Sequence, residues 1–406
     1  MKNYNTVKQY FETKLINHPT TDCKLSLNLG NVAITETYED ESYIGFTGRS
    51  AGAECHCKRC GQVITNLKQY KTTYTILAKI NSKNVVLKLR KKMYHCPDCD
   101  SSTVEQLLDV SGKNQKSNSF IRSMLRCLKE TMTYSTLARL YKVSVSNVIF
   151  HFDKAVFKET QIDRSKVRNI SVDEVRLTKQ KFSNYQFVIM DSDTKQVLDI
   201  LESRCANVIQ NHLEQHYKGI STFTQDLWKT YKNVALKVIS NVKIIADPFH
   251  VVRLFMWAFS RTRVALAKKK GLKTNKNWKL LTKAKTKLDK CGHDKLDALL
   301  DPDPELKAAH DAKEMALEMF RCKDKALYLK LLPTFKELID QHNLVEFQTA
   351  YNSLLNWHEE IMNMFDYDYS NGAMERGNRT IKLTKNISFG VRNLSRVTKL
   401  IQYRVN

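Results

Sequence analysis

From Arg168 to Phe255 the chain alternates short apolar runs, rich in β-branched residues, with amphipathic stretches of helical spacing. Asn169–Leu177, Tyr185–Met190, Gln196–Glu202, Ile220–Phe223 and Val242–Ala246 read as strands, Ala206–Tyr217 and Trp228–Ile239 as helices, and His250 begins a further helix. Such alternation predicts a mixed α/β sheet with helices packed on it. Upstream, Thr72–Leu77 and Val85–Leu89 alternate in the manner of a small β-hairpin. From Ser117 to Thr160 the period turns helical: Phe120, Met124 and Leu128 share one face, and a short helix follows at Tyr134–Tyr141. A tight turn at Lys142–Val143 then leads to Ser144 as N-cap of a third helix running to about Lys158. This spacing fits a helix-turn-helix, with Ser144, Ser146, Asn147 and His151 facing the major groove of DNA. From about Arg261 to Met362 no convincing strand is present, and positions such as Leu280, Leu296, Leu317 and Phe335 predict the core of a helical bundle. Residues 1–48 give a short helix, Val7–Leu15, and strand-like pieces to which no role is assigned.

Composition narrows the class. A chain of 406 residues with 42% hydrophobic residues, 12 Gly and 6 Pro supports real cores and excludes a low-complexity protein. Lys and Arg total 66 against 42 Asp and Glu, a net charge of +24 that favours a polyanionic partner, nucleic acid above all. The N-terminal stretch lacks the apolar core of a secretory signal, and Asp247, Pro248, His250 and Arg253 interrupt the apolar run Val242–Phe259, so no membrane association is expected. The ten cysteines are therefore expected in a reducing cytoplasm, where clustered thiols read as metal ligands rather than disulfides.

Cys57-x-x-Cys60 followed by Cys96-x-x-Cys99 has the spacing of two knuckles closing one four-cysteine structural zinc site, a zinc ribbon. Cys55 and His56 crowd the first knuckle, so the ligand set can shift by a position or two. Arg90, Lys91 and Lys92 lie beside the second knuckle, within reach of phosphates. Isolated carboxylates end three strand-like runs: Asp173, Asp226 and Asp247. Buried at a strand end, a carboxylate costs desolvation energy unless a cation or hydrogen bonds answer it, so several converging there suggest a divalent-metal site. Near the C-terminus, a turn at Asn371-Gly372 leads into a helix on which Asn378, Arg379 and Lys382 share a face with Glu375. Glu375 reaches Asp173 and Asp226 only if this helix packs beside the sheet and the helical segment is an insertion. Three carboxylates holding two Mg²⁺ (or Mn²⁺) ions suit phosphodiester displacement. Glu174 remains a rival to Asp173.

In order along the chain, ISVDE, FTQDLWKTY, IADPFHVV and SNGAMERGNRTIKLTKNISFGVRN resemble the bacterial insertion-sequence transposases of the DDE type, in the ISL-three family. The resemblance runs from about Cys57 to the C-terminus. It implies an RNase H-like core, a mixed five-stranded sheet with helices, interrupted by an all-α insertion and preceded by the zinc ribbon and the helix-turn-helix. The expected units are an N-terminal segment (1–48), zinc ribbon (49–112), helix-turn-helix (113–165), first part of the core (166–260), insertion (261–362) and a C-terminal core helix (363–406). The resemblance makes Asp173, Asp226 and Glu375 the metal-binding catalytic triad, and Asp247 with His250 a supporting D-x-x-H signature. Lys382, seven residues after Glu375, is expected on DNA near the cleavage site, beside Arg379. Arg376 stands where many members have Gly, with Gly at 377. The implied activity is cleavage at terminal inverted repeats of double-stranded DNA and transfer of the freed 3′-OH into target DNA, by a dimer or higher oligomer in the nucleoid. A regulator or an RNase H-like nuclease derived from a transposase is the alternative.

Overall fold

The computed structural model of the chain describes residues 32–50, 54–105, 116–130, 132–177, 184–274, 277–321, 323–387 and 393–406. The expected helix Val7–Leu15 lies outside the described residues. Two compact units divide after Val156, apart from Ile387, which falls with the first unit. The division cuts within the segment 113–165 expected as one domain.

In the first unit, β1 (Val32–Glu39) and β2 (Tyr43–Ser50) pair antiparallel, and the two-residue strands β3 (Cys55–His56) and β4 (Val63–Ile64) form a separate small ladder. β5 (Leu67–Ile80) and β6 (Lys83–Cys96) make a hairpin far longer than the predicted one, and β7 (Ser101–Val104) pairs with the end of β6. The apolar alternation marks only its packed half, where Leu77, Val85, Leu87 and Leu89 form a core with Phe46. The other half is polar and held by cross-strand hydrogen bonds, a signal that periodicity does not carry. Asn81, with φ 52°, begins the two-residue turn between the pair Ile80 and Lys83. The sheet order β1-β2-β6-β5 draws residues 32–50 into the same sheet as the hairpin.

Three helices follow: α1 (Asn118–Arg126), α2 (Tyr134–Leu140) and α3 (Val145–Lys154). Ser117 and Ser144 cap the first and third, their hydroxyls accepting from Phe120 N at 2.9 Å and Asn147 N at 3.2 Å. Lys142 turns the chain between α2 and α3 with φ 51°. Phe120, Met124, Leu137, Val148 and Phe152 are fully buried. α3 ends four residues before its expected end near Lys158, because Ala155 is already extended and Lys158–Thr160 form a separate 3₁₀ turn.

The second unit is built on β8 (Asn169–Val175), β9 (Gln186–Asp191), β10 (Val197–Leu201), β11 (Thr222–Gln225) and β12 (Lys243–Ala246). The order is β10-β9-β8-β11-β12, antiparallel from β10 to β8 and parallel from β8 to β12, which is the RNase H-like arrangement. α4 (Ala206–His216) and α5 (Lys229–Val238) cover one face, packing Leu213, Tyr231 and Ala235 on Ile170, Val172, Phe187 and Ile189. α6 (Pro248–Lys269) leaves the end of β12 and runs without a break past the expected boundary at 260. It is followed by α7 (Trp278–Thr282), α8 (Lys290–Leu300), α9 (Pro304–Arg321), α10 (Lys325–Gln341), α11 (Val345–Asn356) and α12 (His358–Asp366). The described residues of 261–362 contain no strand. The helical segment is no detached appendage: one apolar cluster runs from Ile245 and Phe255 through Phe335 and Phe347 to Met364, and Asn363 Nδ2 donates to Ile244 O of β12 at 2.9 Å. α13 (Gly372–Ile387) and α14 (Leu394–Val405) close the other sheet face, Met374, Ile381, Val397 and Ile401 packing on Val175, Val188 and Met190. No helix among the described residues is long and apolar enough to cross a membrane.

Candidate active site

Strand alternation decides between the neighbouring carboxylates of β8. Ile170, Val172 and Glu174 point to the face covered by α4 and α5, whereas Asp173 and Val175 point to the face covered by α13. Glu174 is answered there: its Oε2 accepts from Arg204 Nη1 at 2.5 Å and from the Tyr231 hydroxyl at 3.2 Å. Asp173 faces no cation of this kind. Burial, and then the charge of Asp226, push its carboxyl up to about 6. Of the two rivals, Asp173 is the one left in need of a positive charge.

Asp226 follows β11 directly, and Asp247 is the residue before α6, 1% exposed. His250, in the first turn of α6, bridges them: its Nδ1 lies 2.9 Å from Asp226 Oδ1 and 2.7 Å from Asp247 Oδ2. Burial works against a charged imidazole, but the two carboxylates outweigh it and hold His250 up to about 9. Asp226, Asp247 and His250 offer ligand atoms within 4.8 Å of one another. Of the two carboxylates, Asp247 is the inner one, 2% exposed at its side chain against 26% for Asp226. Asp247 thus orients His250, and Asp226 presents the open oxygen.

α13 is stitched to this sheet end by two asparagines. Asn371 donates its backbone N–H to Asp247 Oδ1 at 2.9 Å, and its Nδ2 to Val172 O at 3.2 Å and to Asp226 Oδ1 at 3.3 Å. Asn378, seven residues on, donates Nδ2 to Asp173 Oδ2 at 2.5 Å. Glu375 stands between them on the same helix, exposed, and its backbone N–H donates to Asn371 O at 2.8 Å. The helix therefore carries Glu375 between one residue bonded to Asp226 and another bonded to Asp173. Close approach is possible because Gly377 has no side chain: a Cβ there would stand 2.5 Å from Met190 Cε of β9. Arg379 and Lys382 are exposed further along α13. Of the two asparagines, the sequence places Asn378 on the Glu375 face and reads Asn371 only as a turn residue; the spacing of 371, 375 and 378 at 4 and 3 was the signal that joins them.

The donor set fits a divalent cation. The candidate donors are carboxylate oxygens, of which Asp226 and Asp247 group with His250 while Asp173 and Glu375 lie outside that group, and the side-chain oxygens of Asn371 and Asn378, which are buried with no hydrogen-bond partner. Oxygen donors suit Mg²⁺ or Mn²⁺ rather than zinc.

The four predicted thiols also meet. Cys57, Cys60, Cys96 and Cys99 lie within 4.8 Å of one another, with Sγ–Sγ distances of 3.4 Å for Cys57–Cys99 and 3.6 Å for Cys60–Cys96. Tetrahedral coordination at a Zn–S length near 2.3 Å requires edges of roughly 3.8 Å. Gly61 and Asp100, at φ 81° and 50°, turn the two knuckles. Hydrogen bonds from Ser101 and then from the backbone amides of Cys60 and Arg59 lower the Cys57 thiol, while burial and then the neighbouring sulfurs hold Cys60 and Cys96 up, as thiols crowded together must. Cys55 and His56 stay outside the cluster.

In α3 the expected groove-facing residues separate. Ser144 and Ser146 are exposed and Asn147 is half-buried, but His151 is only 9% exposed and is not free to face a groove; Phe150, 47% exposed, takes the outer position. The helix is amphipathic with its inward stripe at Val148, His151 and Phe152, a period that also accounts for the burial of His151.

A family model described as "Transposase", of the DDE type and the ISL-three branch, matches residues 170–401. No curated protein matches. A solved structure described as the Drosophila P element transposase strand transfer complex is similar at 9% identity and a TM-score of 0.38, over 70% of this chain and 92% of that chain. A likeness of that size carries no weight for fold or function.

Proposed function

The chain belongs to the ISL-three family of DDE transposases, and from that premise we propose that it cuts DNA at terminal inverted repeats and joins the freed 3′-OH to target DNA. The observation that carries this reading is the docking of α13 on the sheet end, which sets Glu375 between asparagines bonded to Asp226 and Asp173. Asp173, Asp226 and Glu375 are the residues that hold two divalent ions, Mg²⁺ or Mn²⁺. When bound, these ions supply activation of the attacking oxygen and stabilisation of the leaving oxygen.

The remaining roles belong to this chain's own groups. Asp247 fixes His250, and His250 in turn fixes Asp226. Asn378 Nδ2 and the Glu174 backbone N–H each donate to one oxygen of Asp173, at 2.5 and 2.6 Å, and so fix the orientation of its carboxylate. In the first step a water oxygen attacks phosphorus and the P–O3′ bond breaks, with the proton passing to the departing 3′ oxygen. In the second, that 3′-OH attacks a target phosphodiester, whose own 3′ oxygen leaves. Arg379 and Lys382, exposed along α13, reach the DNA backbone. The cysteine cluster binds one structural zinc, and α3 enters a groove with Ser144, Ser146 and Asn147. Two element ends require a dimer or larger assembly, and the thiol chemistry suits a reducing cytoplasm, on the nucleoid.

The test is incubation with Mg²⁺ and labelled DNA carrying the terminal inverted repeat, wild type against Asp226→Asn. Wild type is expected to cleave and join, and the variant to bind without cutting. Binding by wild type with no Mg²⁺-dependent cleavage would leave a DNA-binding regulator, and cleavage without joining a nuclease.

A further inference from the structure

α6 buries one side, with Val251, Phe255 and Phe259 in the core, and presents on another Phe249, Arg253 and Trp257 at i, i+4 and i+8. Phe249 is 54% and Trp257 49% exposed. The Arg253 guanidinium lies between them, 5.7 Å from the Phe249 ring centroid and 4.8 Å from that of Trp257. Two large aromatics held in water against an arginine are poor packing elements and good stacking platforms. Among the described residues no carboxylate pairs with Arg253, so its charge is available to an anion. A contrasting exposed group is that of Arg204, which lies over the Tyr185 and Trp228 rings but is already neutralised by Glu174.

The ladder starts at the site. The Phe249 ring meets that of His250 edge-on, with centroids 5.6 Å apart, and His250 is bonded to Asp226. Eight residues of helix extend about 12 Å, close to the length of three or four nucleotides at roughly 3.4 Å each along one strand. Aromatic faces take bases by stacking, and an arginine between them takes phosphate. A duplex hides its base faces, so the fitting ligand is a strand whose bases are unpaired.

We propose that Phe249, Arg253 and Trp257 form a stacking ladder for unpaired nucleotides of the DNA strand beside the Asp173–Asp226 centre. This rests on the reading of the chain as a DNA transposase. The residues are positioning residues: they hold the strand and touch no reacting atom.

The experiment compares binding of a short labelled oligothymidine and of duplex DNA by wild type, Trp257→Ala, Phe249→Ala and Trp257→Phe. Both aromatics are half exposed, so truncation leaves the core intact, and Trp257→Phe keeps a ring in place. Each alanine variant is expected to bind oligothymidine about tenfold more weakly, Trp257→Phe to recover most of that loss, and duplex binding to change less than about twofold. Unchanged oligothymidine affinity in both alanine variants, with duplex binding intact, overturns the ladder alone. Equal loss on both DNAs overturns it too, as does a shift from dimer to monomer in sedimentation with DNA binding preserved, which would make the face a contact between copies. Failure of wild type to bind either DNA removes the transposase reading and the ladder together.

Discussion

Asp173 and Glu174 are adjacent carboxylates whose surroundings assign them opposite duties. Glu174 already has a guanidinium and a phenol, so its charge is spent within the fold. Asp173 has only amide donors, from Asn378 and the Glu174 backbone, on its oxygens; burial and then Asp226 raise it to about 6 against the opposing charge of His250. Asp173→Asn is therefore expected to lower strand cleavage more than a hundredfold with little loss of folded stability, since an amide is easier to bury there than an unanswered charge. Glu174→Gln should do the reverse: it removes the charge partner of the half-exposed Arg204 and destabilises by about 0.5–1 kcal/mol, while cleavage falls less than tenfold. Paired thermal melts and cleavage rates check both, and equal loss of cleavage from the two variants would overturn the assignment. At this scale the sequence was informative about residue type and silent about direction. The carboxylates stood out because they end apolar runs. Asn371 did not, because an amide at a turn before a helix has ordinary capping uses, and only the docked helix shows which carboxylates Asn371 and Asn378 bind.

Among the elements, the five strands and their intervening helices were legible because a sheet covered on both faces needs continuous apolar runs, and this chain has them in β8, β9 and β10. The polar half of the β5–β6 hairpin was not legible, since its solvent-facing residues leave no periodic mark. Its far end is where the four cysteines meet. β3 and β4 are two residues each, too short to hold a knuckle by their own pairing. Zinc is thus expected to be structural here: metal analysis should find about one per chain, and Cys96→Ser should release it and weaken duplex binding. The sheet end of the other unit offers carboxylate oxygens rather than thiols, so the Mg²⁺ binding proposed there should survive that substitution. Retention of full zinc by Cys96→Ser would sink the four-thiol assignment.

For the molecule as a whole, the net charge of +24 predicts polyanion binding only as far as the positive charges are free. Many lysines of the helical segment are not. Lys269 pairs with Glu305, Lys270 with Asp303, Lys307 with Asp301 and Lys325 with Asp366. Exposed pairs of this kind add little stability, but they cancel the field that a DNA backbone would feel. The lysine-rich run after Arg261 thus reads partly as a compensated surface, which residue counting could not reveal. Arg379 and Lys382 have no acidic partner among the described residues, and they follow Glu375 on the helix that reaches the carboxylates. Their contribution can be read from salt dependence, because each phosphate contact releases condensed counterions. Lys382→Gln is expected to lower the slope of log affinity against log salt for duplex DNA by about one contact, and to weaken binding nearly equally on every sequence. Lys269→Gln, which removes a charge already answered by Glu305, should leave the slope unchanged. Titrations of the two variants at several salt concentrations separate these outcomes: an equal fall in slope would place the DNA path along the helical segment as well, and no fall for Lys382→Gln would remove α13 from it.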